Sequence, residues 1–219
     1  MAESPVEELE GFFSQYKRIH YKKREVILRA DDTPTGVFYV YKGYVRLFSV
    51  SESGQELTLI IVKPQDLFPI RWVFTGERHT YYFDALTPVE ISKAPKDKFL
   101  EFVEPKPKIL HEILKKTLVR LEGLLERMEY AVFGTAYQKV ASILVICSER
   151  FGTKEDGGIF IRVPLTHKDV ANLIGLTRET TSVELKKLER EKLIYKKGGY
   201  FHVKNIEKLK ESAQWYTFT

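Results

Sequence analysis

An arginine and a glutamate stand side by side at Arg178 and Glu179, near the start of a helical stretch in GLTRETTSVELKKL. An arginine can donate two parallel hydrogen bonds to O6 and N7 of guanine, and a glutamate can accept one from N4 of cytosine. Thr180 and Ser182 follow with hydroxyls that suit several base edges. If a turn and an earlier helix precede this stretch, its N-terminal residues will meet base edges in the major groove. We therefore predict that these four residues read double-stranded DNA.

The stretch from Leu165 to Ile194 predicts the two helices needed to hold these side chains. Thr166 and Asp169 have the spacing of a capping box at the start of the first helix. Gly175 ends that helix as a C-terminal glycine does, and Thr177 caps the second. The alternative is a plain helical hairpin with solvated charges. Agreement between caps, turn and charge placement favours a helix-turn-helix.

Basic residues follow the second helix and continue into a predicted hairpin. The segment LIYKKGGYFHV, residues 193–203, turns at Gly198-Gly199 and has the pattern of the wing of a winged helix. Lysines near bound DNA mostly contact phosphates, which position the protein without specifying sequence. The predicted phosphate neighbours are Lys186, Lys187, Lys196 and Lys197.

The segment THKDVANLIGLTRETTSVELKKLEREKLI resembles the DNA-binding motif of the Crp–Fnr family of bacterial transcription regulators. The resemblance implies that Arg178 and Glu179 read bases, and that Ser182 stands where one branch of the family makes a contact. Val183 replaces a second base-reading arginine, so we expect an apolar contact with a thymine methyl there. The backbone-contacting positions of the family correspond to Thr166, His167 and Lys168.

The N-terminal half has short runs rich in valine, isoleucine, tyrosine and phenylalanine, separated by turn residues between Ile19 and Ala94. This pattern predicts a β-sandwich or barrel. The order of the runs resembles the β-roll, a double-stranded β-helix, of cyclic-nucleotide-binding domains. Gly43 and Gly54 stand at turn glycines of that family. Glycine is commonly found where this chain has Arg24, Ala30 and Gln65.

In the resembling family, a Gly-Glu pair and an Arg-Ser or Arg-Thr pair hold the cyclic nucleotide. The corresponding residues here are Pro69-Ile70 and His79-Thr80, with Arg78 one position out of register. Proline has no amide to donate, and isoleucine cannot bond a ribose hydroxyl. We therefore expect cyclic AMP not to bind in the usual way, and the effector is unknown. The candidate effector pocket comprises Pro69, Ile70, Arg71, Arg78, His79 and Thr80.

A long helix is predicted from about Lys108 to Phe133, after Pro105 and Pro107. Its apolar residues recur in steps of four and three, the heptad pattern that pairs two helices. In the resembling family this helix forms the subunit interface. The alternative is a helix packed only on its own domain. The predicted dimer contacts are Leu114, Leu118, Leu121, Leu125, Met128 and Val132.

Composition narrows the class of protein. The chain has 219 residues and a formal net charge of +5, which suits an anionic partner. Its single cysteine, Cys147, excludes an internal disulfide and a cysteine-ligated iron–sulfur cluster, and fits a reducing compartment such as the cytoplasm. No apolar run is long enough to span a bilayer, and the acidic start MAESPVEELE does not resemble a signal peptide. The five histidines show no metal-ligand spacing, and no phosphate loop or nucleophile elbow is present, so neither a metal nor a cofactor is predicted.

The sequence thus predicts an α+β protein in three parts: a sensor β-roll (1–106), a dimerisation helix (107–133) and a winged helix-turn-helix domain (134–219). The predicted function is that of a homodimeric, sequence-specific transcription regulator, not an enzyme. Its expected partners are a near-palindromic operator and, if it activates, RNA polymerase; no membrane partner is expected. Three alternatives remain open. They are a regulator that responds to cyclic AMP through a rearranged phosphate anchor, a cyclic-nucleotide-gated regulatory subunit of an enzyme, and an enzyme built on a β-roll.

Overall fold

A computed structural model describes residues 4–214, so the tail from 215 to 219, to which the sequence assigns no element, lies outside the described residues. The described chain forms two compact units, one of residues 4–54 with 59–121 and one of residues 55–58 with 122–214. The elements up to the long helix are α1 (Pro5–Ser14), β1 (Arg18–Tyr21), β2 (Val26–Leu28), β3 (Val37–Lys42), β4 (Val45–Val50), β5 (Glu56–Val62), β6 (Leu67–Phe68), α2 (Ile70–Thr75), β7 (Tyr82–Ala85), β8 (Val89–Ala94), α3 (Lys96–Val103) and α4 (Pro107–Phe133). The later elements are α5 (Ala136–Phe151), β9 (Gly152–Glu155), β10 (Gly158–Ile161), α6 (His167–Ile174), α7 (Arg178–Arg190), β11 (Ile194–Lys197), β12 (Tyr200–Val203) and α8 (Ile206–Ala213).

Two four-stranded sheets form the β-roll of the first unit, in the orders β1-β8-β3-β6 and β2-β7-β4-β5. Buried side chains of both sheets pack in one cluster, where Phe38 and Phe68 from the first sheet meet Phe83 from the second. The rings of Phe68 and Phe83 stack with centroids 4.8 Å apart. The predicted α+β class and the N-terminal roll are therefore confirmed.

A second cluster covers the other side of the first sheet. There α1, α2, α3 and the start of α4 contribute apolar side chains, among them Phe13, Val73, Phe99 and Ile109. Ser4 and Glu7 have the spacing of a capping box, and α1 begins with it. Ser4 accepts from the backbone of Glu7, and the Glu7 carboxylate accepts from the backbone of Ser4. The apolar spacing of α1 and its cap are local features, which explains why the sequence predicts this helix.

Two turns of the roll keep a left-handed backbone without glycine. Arg24 has φ 70° and Gln65 has φ 68°, at two of the positions where the resembling family commonly has glycine. Asp31, next to Ala30, also has a positive φ of 68°. A side chain with a Cβ adopts this region at some cost, so the surrounding pairing of strands must hold these turns. At Gly43 a Cβ would lie 2.1 Å from the carbonyl oxygen of Pro88, so only glycine fits there.

A buried ion pair links the two middle strands of the second sheet. Arg46 on β4 is directly opposite Asp84 on β7, and the two side chains are 2% and 4% exposed. Arg46 donates from Nε to Oδ1 at 3.0 Å and from Nη2 to Oδ2 at 2.6 Å. The guanidinium also lies over the ring of Phe48, 4.0 Å from its centroid. Each buried charge therefore has an opposite charge and hydrogen bonds beside it, without which its burial would be costly.

Replacing Asp84 with asparagine is expected to lower the free energy of unfolding of the protein by about 3–5 kcal/mol, because Arg46 would stay buried without its counter-charge. Urea denaturation followed by circular dichroism measures the loss. Glu77→Gln is the control, since the Arg71–Glu77 ion pair is more than half exposed on both sides. The control should cost about 0–1 kcal/mol. Equal losses in both variants would show that the Asp84 carboxylate is not specifically required.

Helix α5 is the core of the second unit. Residues 140–148 on it are buried, and α6, α7 and α8 each pack against it. Gly134 interrupts the helical pattern of the sequence and predicts a break, which is confirmed, because α4 ends at Phe133 and Thr135 caps α5 with a capping box to Gln138. The sheet of this unit has the order β11-β12-β10-β9.

The polar residues 152–158 predict a loop from the sequence, and this prediction is wrong in part. Gly152–Glu155 forms β9, which pairs antiparallel with β10 from Gly152↔Ile161 to Glu155↔Gly158. The strand lies at the edge of its sheet, where backbone pairing on one side suffices and polar side chains are common. Such a strand has no apolar alternation from which to predict it.

Helix α4 leaves an apolar stripe exposed in the single chain. All six predicted contact residues are at the surface, with exposed fractions between 47% for Leu125 and 69% for Val132. Isolated apolar residues on a surface are ordinary, but a row at heptad spacing is not. No helix among residues 4–214 has the length and apolarity to cross a membrane.

Candidate nucleic-acid interface

Helices α6 and α7 have the predicted caps and turn. Thr166 and Asp169 form a capping box at the start of α6, and Gly175 ends it with φ 66°. Thr177 accepts from the backbone N–H of Thr180 and so caps α7. The turn between the helices is three residues, 175–177, as in a helix-turn-helix.

The start of α7 presents two free charged side chains. Arg178 and Glu179 are exposed, and neither makes a side-chain hydrogen bond or ion pair with another residue of the described chain. Thr180 is partly buried, and its Oγ accepts from the Thr177 hydroxyl at 2.9 Å, so its own hydroxyl hydrogen remains available. An unpaired arginine in the first turn is suited to an external acceptor, because its five N–H donors are unused inside the protein.

Ser182 is engaged within the protein. Its hydroxyl donates to the carbonyl oxygen of Arg178 at 2.7 Å, and its oxygen lies 2.8 Å from Nδ1 of His167. Both contacts are hydrogen bonds when the Nδ1 of His167 carries a proton and donates to Ser182. Toward DNA, Ser182 can then act as an acceptor but not as a donor.

Val183 lies outside the core of this unit. The sequence pattern groups it with Leu185 and Leu188 as inward or edge residues, yet Val183 is 53% exposed while the two leucines are fully buried. Each residue of a helix is rotated by about 100° from the one before, so Val183 and Leu185 lie on nearly opposite sides of α7. Only Leu185 can then face the core together with Leu188. The exposed position agrees with the expected contact to a base, which remains a prediction.

The predicted phosphate neighbours fall into two groups. Lys168, Lys186 and Lys197 are exposed and have no side-chain partner within residues 4–214. Two other lysines have protein partners: Lys187 pairs with Glu184, and Lys196 donates to the carbonyl oxygen of Leu165 at 2.8 Å. Lys196 also lies over the ring of Phe201, and burial lowers the pKa of its ammonium.

Thr166 is committed to its cap. Its Oγ accepts from the backbone of Asp169 at 3.1 Å, and its hydroxyl hydrogen is donated to the Asp169 carboxylate at 2.7 Å. A contact from Thr166 to a DNA backbone would therefore have to compete with the cap. His167, the next residue, keeps one ring nitrogen free, and Lys168 keeps its whole ammonium group.

Arg127 of α4 supports the first helix of the motif from behind. Its Nη2 donates to the carbonyl oxygen of Leu173 in the last turn of α6 and to that of Thr58 on β5 at 2.7 Å. A cation at the C-terminal end of a helix is favourable because it meets the negative end of the helix dipole. Burial lowers the pKa of Arg127 to about 10, which leaves it charged at neutral pH. The side-chain amide of Asn172 on α6 also donates to the carboxylate of Glu56 on β5, at 3.1 Å.

The candidate effector residues lie in different environments, some packed inside the roll and others at its surface. Pro69 is buried at the start of α2, and Ile70 packs with the helices on the outer side of the first sheet. His79 is 6% exposed and stacks on Phe83, which belongs to the cluster between the sheets. Burial lowers the pKa of His79, and its Nε2 is enclosed without a hydrogen-bond partner in the described chain.

The two arginines of this segment are at the surface, where each faces a carboxylate. Arg71 pairs with Glu77 and also donates to the carbonyl oxygen of Arg78. Arg78 lies 3.4 Å from the Asp31 carboxylate. Thr80 is exposed. Neither arginine is therefore free to hold a phosphate without breaking an existing ion pair.

Within residues 4–214, histidine, cysteine, aspartate and glutamate side chains nowhere form a group of three that could hold a metal ion. Cys147 is buried in α5, and burial raises the pKa of its thiol to about 12. It therefore stays protonated and has the environment of a core residue.

Three contacts, two in the interface and its support and one in the β-roll, could not be predicted from the sequence pattern. They are the His167–Ser182 hydrogen bond, the Arg127 contact with α6 and the Arg46–Asp84 pair. A partial signal existed for the last of them, because a charged residue stands inside each of the apolar strands YVRLFSV and YYFDAL. Nothing in the sequence indicates which partner each group meets.

Comparison with known proteins agrees with this geometry. A family described as cyclic nucleotide-binding domain matches residues 18–106, and one described as Crp-like helix-turn-helix domain matches residues 138–212. The nitrogen fixation regulation protein FixK of Bradyrhizobium diazoefficiens is 27% identical over 183 residues, covering 84% of this chain and 76% of FixK. The global nitrogen regulator of a Nostoc species is 26% identical over 179 residues, covering 80% of this chain and 79% of that protein.

The solved structure of TTHA1359, a transcriptional regulator of the CRP/FNR family from Thermus thermophilus, is 26% identical with a TM-score of 0.70. It covers 90% of this chain and 98% of that one. The two matched domains together span the roll and the helix-turn-helix, and these relatives are regulators of transcription rather than enzymes. The chain therefore belongs to the CRP/FNR family and is a DNA-binding regulator of transcription.

Proposed function

We propose that this regulator acts as a homodimer that binds a near-palindromic operator, one half-site to each α7. The observation that supports specific binding is the unpaired Arg178 and Glu179 in the first turn of α7, beside exposed lysines. In this proposal Arg178, Glu179, Thr180 and Val183 face bases, and Ser182 contributes an acceptor. The basic residues Lys168, Lys186 and Lys197 meet phosphates.

The exposed stripe of α4 supports the dimer. A heptad row of six apolar residues on one 27-residue helix has the pattern of a two-helix seam. Two-fold symmetry of the protein would match a palindromic site with half-sites about 34–36 Å apart, one turn of DNA. In this arrangement residues 107–133 join the sensor (1–106) to the DNA-binding domain (134–219). We place the protein in the cytoplasm with the DNA, where RNA polymerase is the further partner if it activates.

We also propose that the sensor has lost the usual cyclic-nucleotide site. Cyclic AMP and cyclic GMP should show no binding at physiological concentration in isothermal titration calorimetry. A proline, a packed isoleucine and a neutral buried histidine stand where the anchoring groups are expected. Micromolar affinity for either nucleotide would contradict this and would indicate a rearranged phosphate anchor. Arg71→Gln and Arg78→Gln would then identify which arginine supplies it.

Selection of binding sites from a random DNA library tests the proposed operator. Wild-type protein should enrich a motif with two inverted half-sites, and a gel shift with a single half-site should require a much higher protein concentration. Enrichment of one unrepeated motif would contradict the dimeric mode of binding. If the protein bound all library sequences equally, it would not read base sequence, and phosphate contacts would be the sole source of its affinity for DNA.

A further inference from the structure

We propose that His167 is a titrating phosphate contact, which makes operator binding take up a proton and tighten as the pH falls. This inference rests on the proposed DNA-binding function and assigns a specific role in it to one side chain. It follows from where the imidazole ring is fixed and from which of its two nitrogens is left free.

The ring of His167 is held in one orientation. Its Nδ1 lies 2.8 Å from the oxygen of Ser182, and that hydroxyl is in turn bonded to the backbone of Arg178. The ring also lies nearly parallel to Phe201, with centroids 6.4 Å apart. An N–H at Nδ1 is present in one neutral tautomer and in the cation alike, so titration leaves this hydrogen bond intact. Only the charge on the ring and the hydrogen at Nε2 change.

The second ring nitrogen, Nε2, is accessible. Nε2 makes no hydrogen bond within residues 4–214 and is not enclosed, so solvent reaches it. His167 is the first residue of α6, and it is bonded to the face of α7 that carries Arg178. In a helix-turn-helix the second helix enters the major groove while the first crosses the DNA backbone. A group beside both helices at that end lies at the rim of the groove, where phosphates are found.

The charges around His167 favour its neutral form in the free protein. Burial lowers the pKa of His167 below its usual value, and the nearby cations of Lys196 on β11 and of Arg178 and Lys186 on α7 lower it further. Glu189 on α7 opposes them. At pH 7 to 8 the ring is thus mostly uncharged before DNA binds. A phosphate next to Nε2 stabilises the cation and raises the pKa of the ring.

The complex binds more protons than the free protein between the lower free pKa and the higher bound pKa, so affinity rises as pH falls through that window. Each half-site takes up at most one proton, which is about tenfold in affinity per pH unit. A dimer on two half-sites would change by up to about a hundredfold per pH unit if the halves are independent.

Fluorescence anisotropy with the selected operator, at constant ionic strength between about pH 5.5 and 8.5, tests the proposal on the full-length protein. His167→Asn retains an N–H donor for Ser182 but cannot titrate, and it should bind with a clearly smaller pH slope than wild type. His167→Lys carries a permanent charge and should bind tightly with the same reduced slope. His20→Asn is the matched control, because His20 is exposed on β1 of the roll, outside the residues proposed to meet DNA; it should keep the wild-type slope.

Other groups also titrate in this pH range, but their contribution to the pH slope is the same in all variants and cancels when the slopes are compared. Glu126 is one of them, since burial first, and then the nearby Glu149, raise its pKa to about 7. Nuclear magnetic resonance of the His167 ring should show a higher pKa with operator than without it. A His167→Asn slope equal to that of wild type, or a His167 pKa that does not rise on binding, would overturn the inference. Wild type that selects no sequence at any pH would instead remove the proposed operator binding, and the inference with it.

Discussion

Replacing Leu121 and Leu125 with glutamate is expected to give a monomer that no longer binds the operator specifically. Both leucines lie in the α4 stripe, with 49% and 47% of their surface exposed in the single chain. Burial of a leucine in an interface contributes about 1.5–3 kcal/mol, and a carboxylate in its place must be desolvated. One half-site alone holds a monomer weakly, because the second set of contacts no longer adds to the first.

Sedimentation equilibrium measures the mass in solution, which should fall from twice to once the 25.5 kDa of a single chain. Lys115→Glu is the control, since it adds a carboxylate to α4 outside the stripe and should leave a dimer. Circular dichroism would confirm that both variants remain folded. A double variant that keeps the dimer mass would show that the α4 stripe is not the interface.

Arg178→Ala is expected to lower specific affinity by about 2–6 kcal/mol in the dimer. A paired contact from arginine to guanine contributes about 1–3 kcal/mol of discrimination, and the dimer makes it twice. The side chain is exposed and has no partner among the described residues, so its removal leaves the fold of α7 in place. Preference at one base pair of each half-site should be lost. Site selection on wild type and variant measures both effects.

Two further variants separate base reading from simple attraction to DNA. Arg178→Lys retains the charge but cannot make two parallel hydrogen bonds in the same plane, so it should also lose the base preference. Lys197→Ala should weaken binding to all sequences alike and reduce the salt dependence by about two phosphate contacts, one from each subunit. If Arg178→Ala keeps its base preference and loses affinity uniformly, Arg178 contacts the backbone and the proposed docking of α7 is wrong.

The elements whose causes are local could be predicted from the amino-acid sequence. The capping boxes at Ser4 and Thr166 and the left-handed Gly175 involve residues within four positions of one another. The apolar runs between Ile19 and Ala94 predicted a strand-rich roll, the heptad spacing predicted the long helix, and charge placement identified the exposed start of α7. These patterns can be recognised without the tertiary structure, because short-range hydrogen bonds and helical or strand spacing depend only on residues close together in the sequence.

Contacts between residues distant in the sequence depend on the tertiary structure. The partners His167 and Ser182 are 15 positions apart, Arg46 and Asp84 are 38 apart, and Arg127 reaches a carbonyl 46 positions away. Strand β9 exists because β10 lies beside it, not because of its own residues. A hydrogen bond or ion pair of this kind depends on distances fixed by the packing of whole helices and sheets. Residue types show that such a group needs a partner, and the fold determines which one it meets.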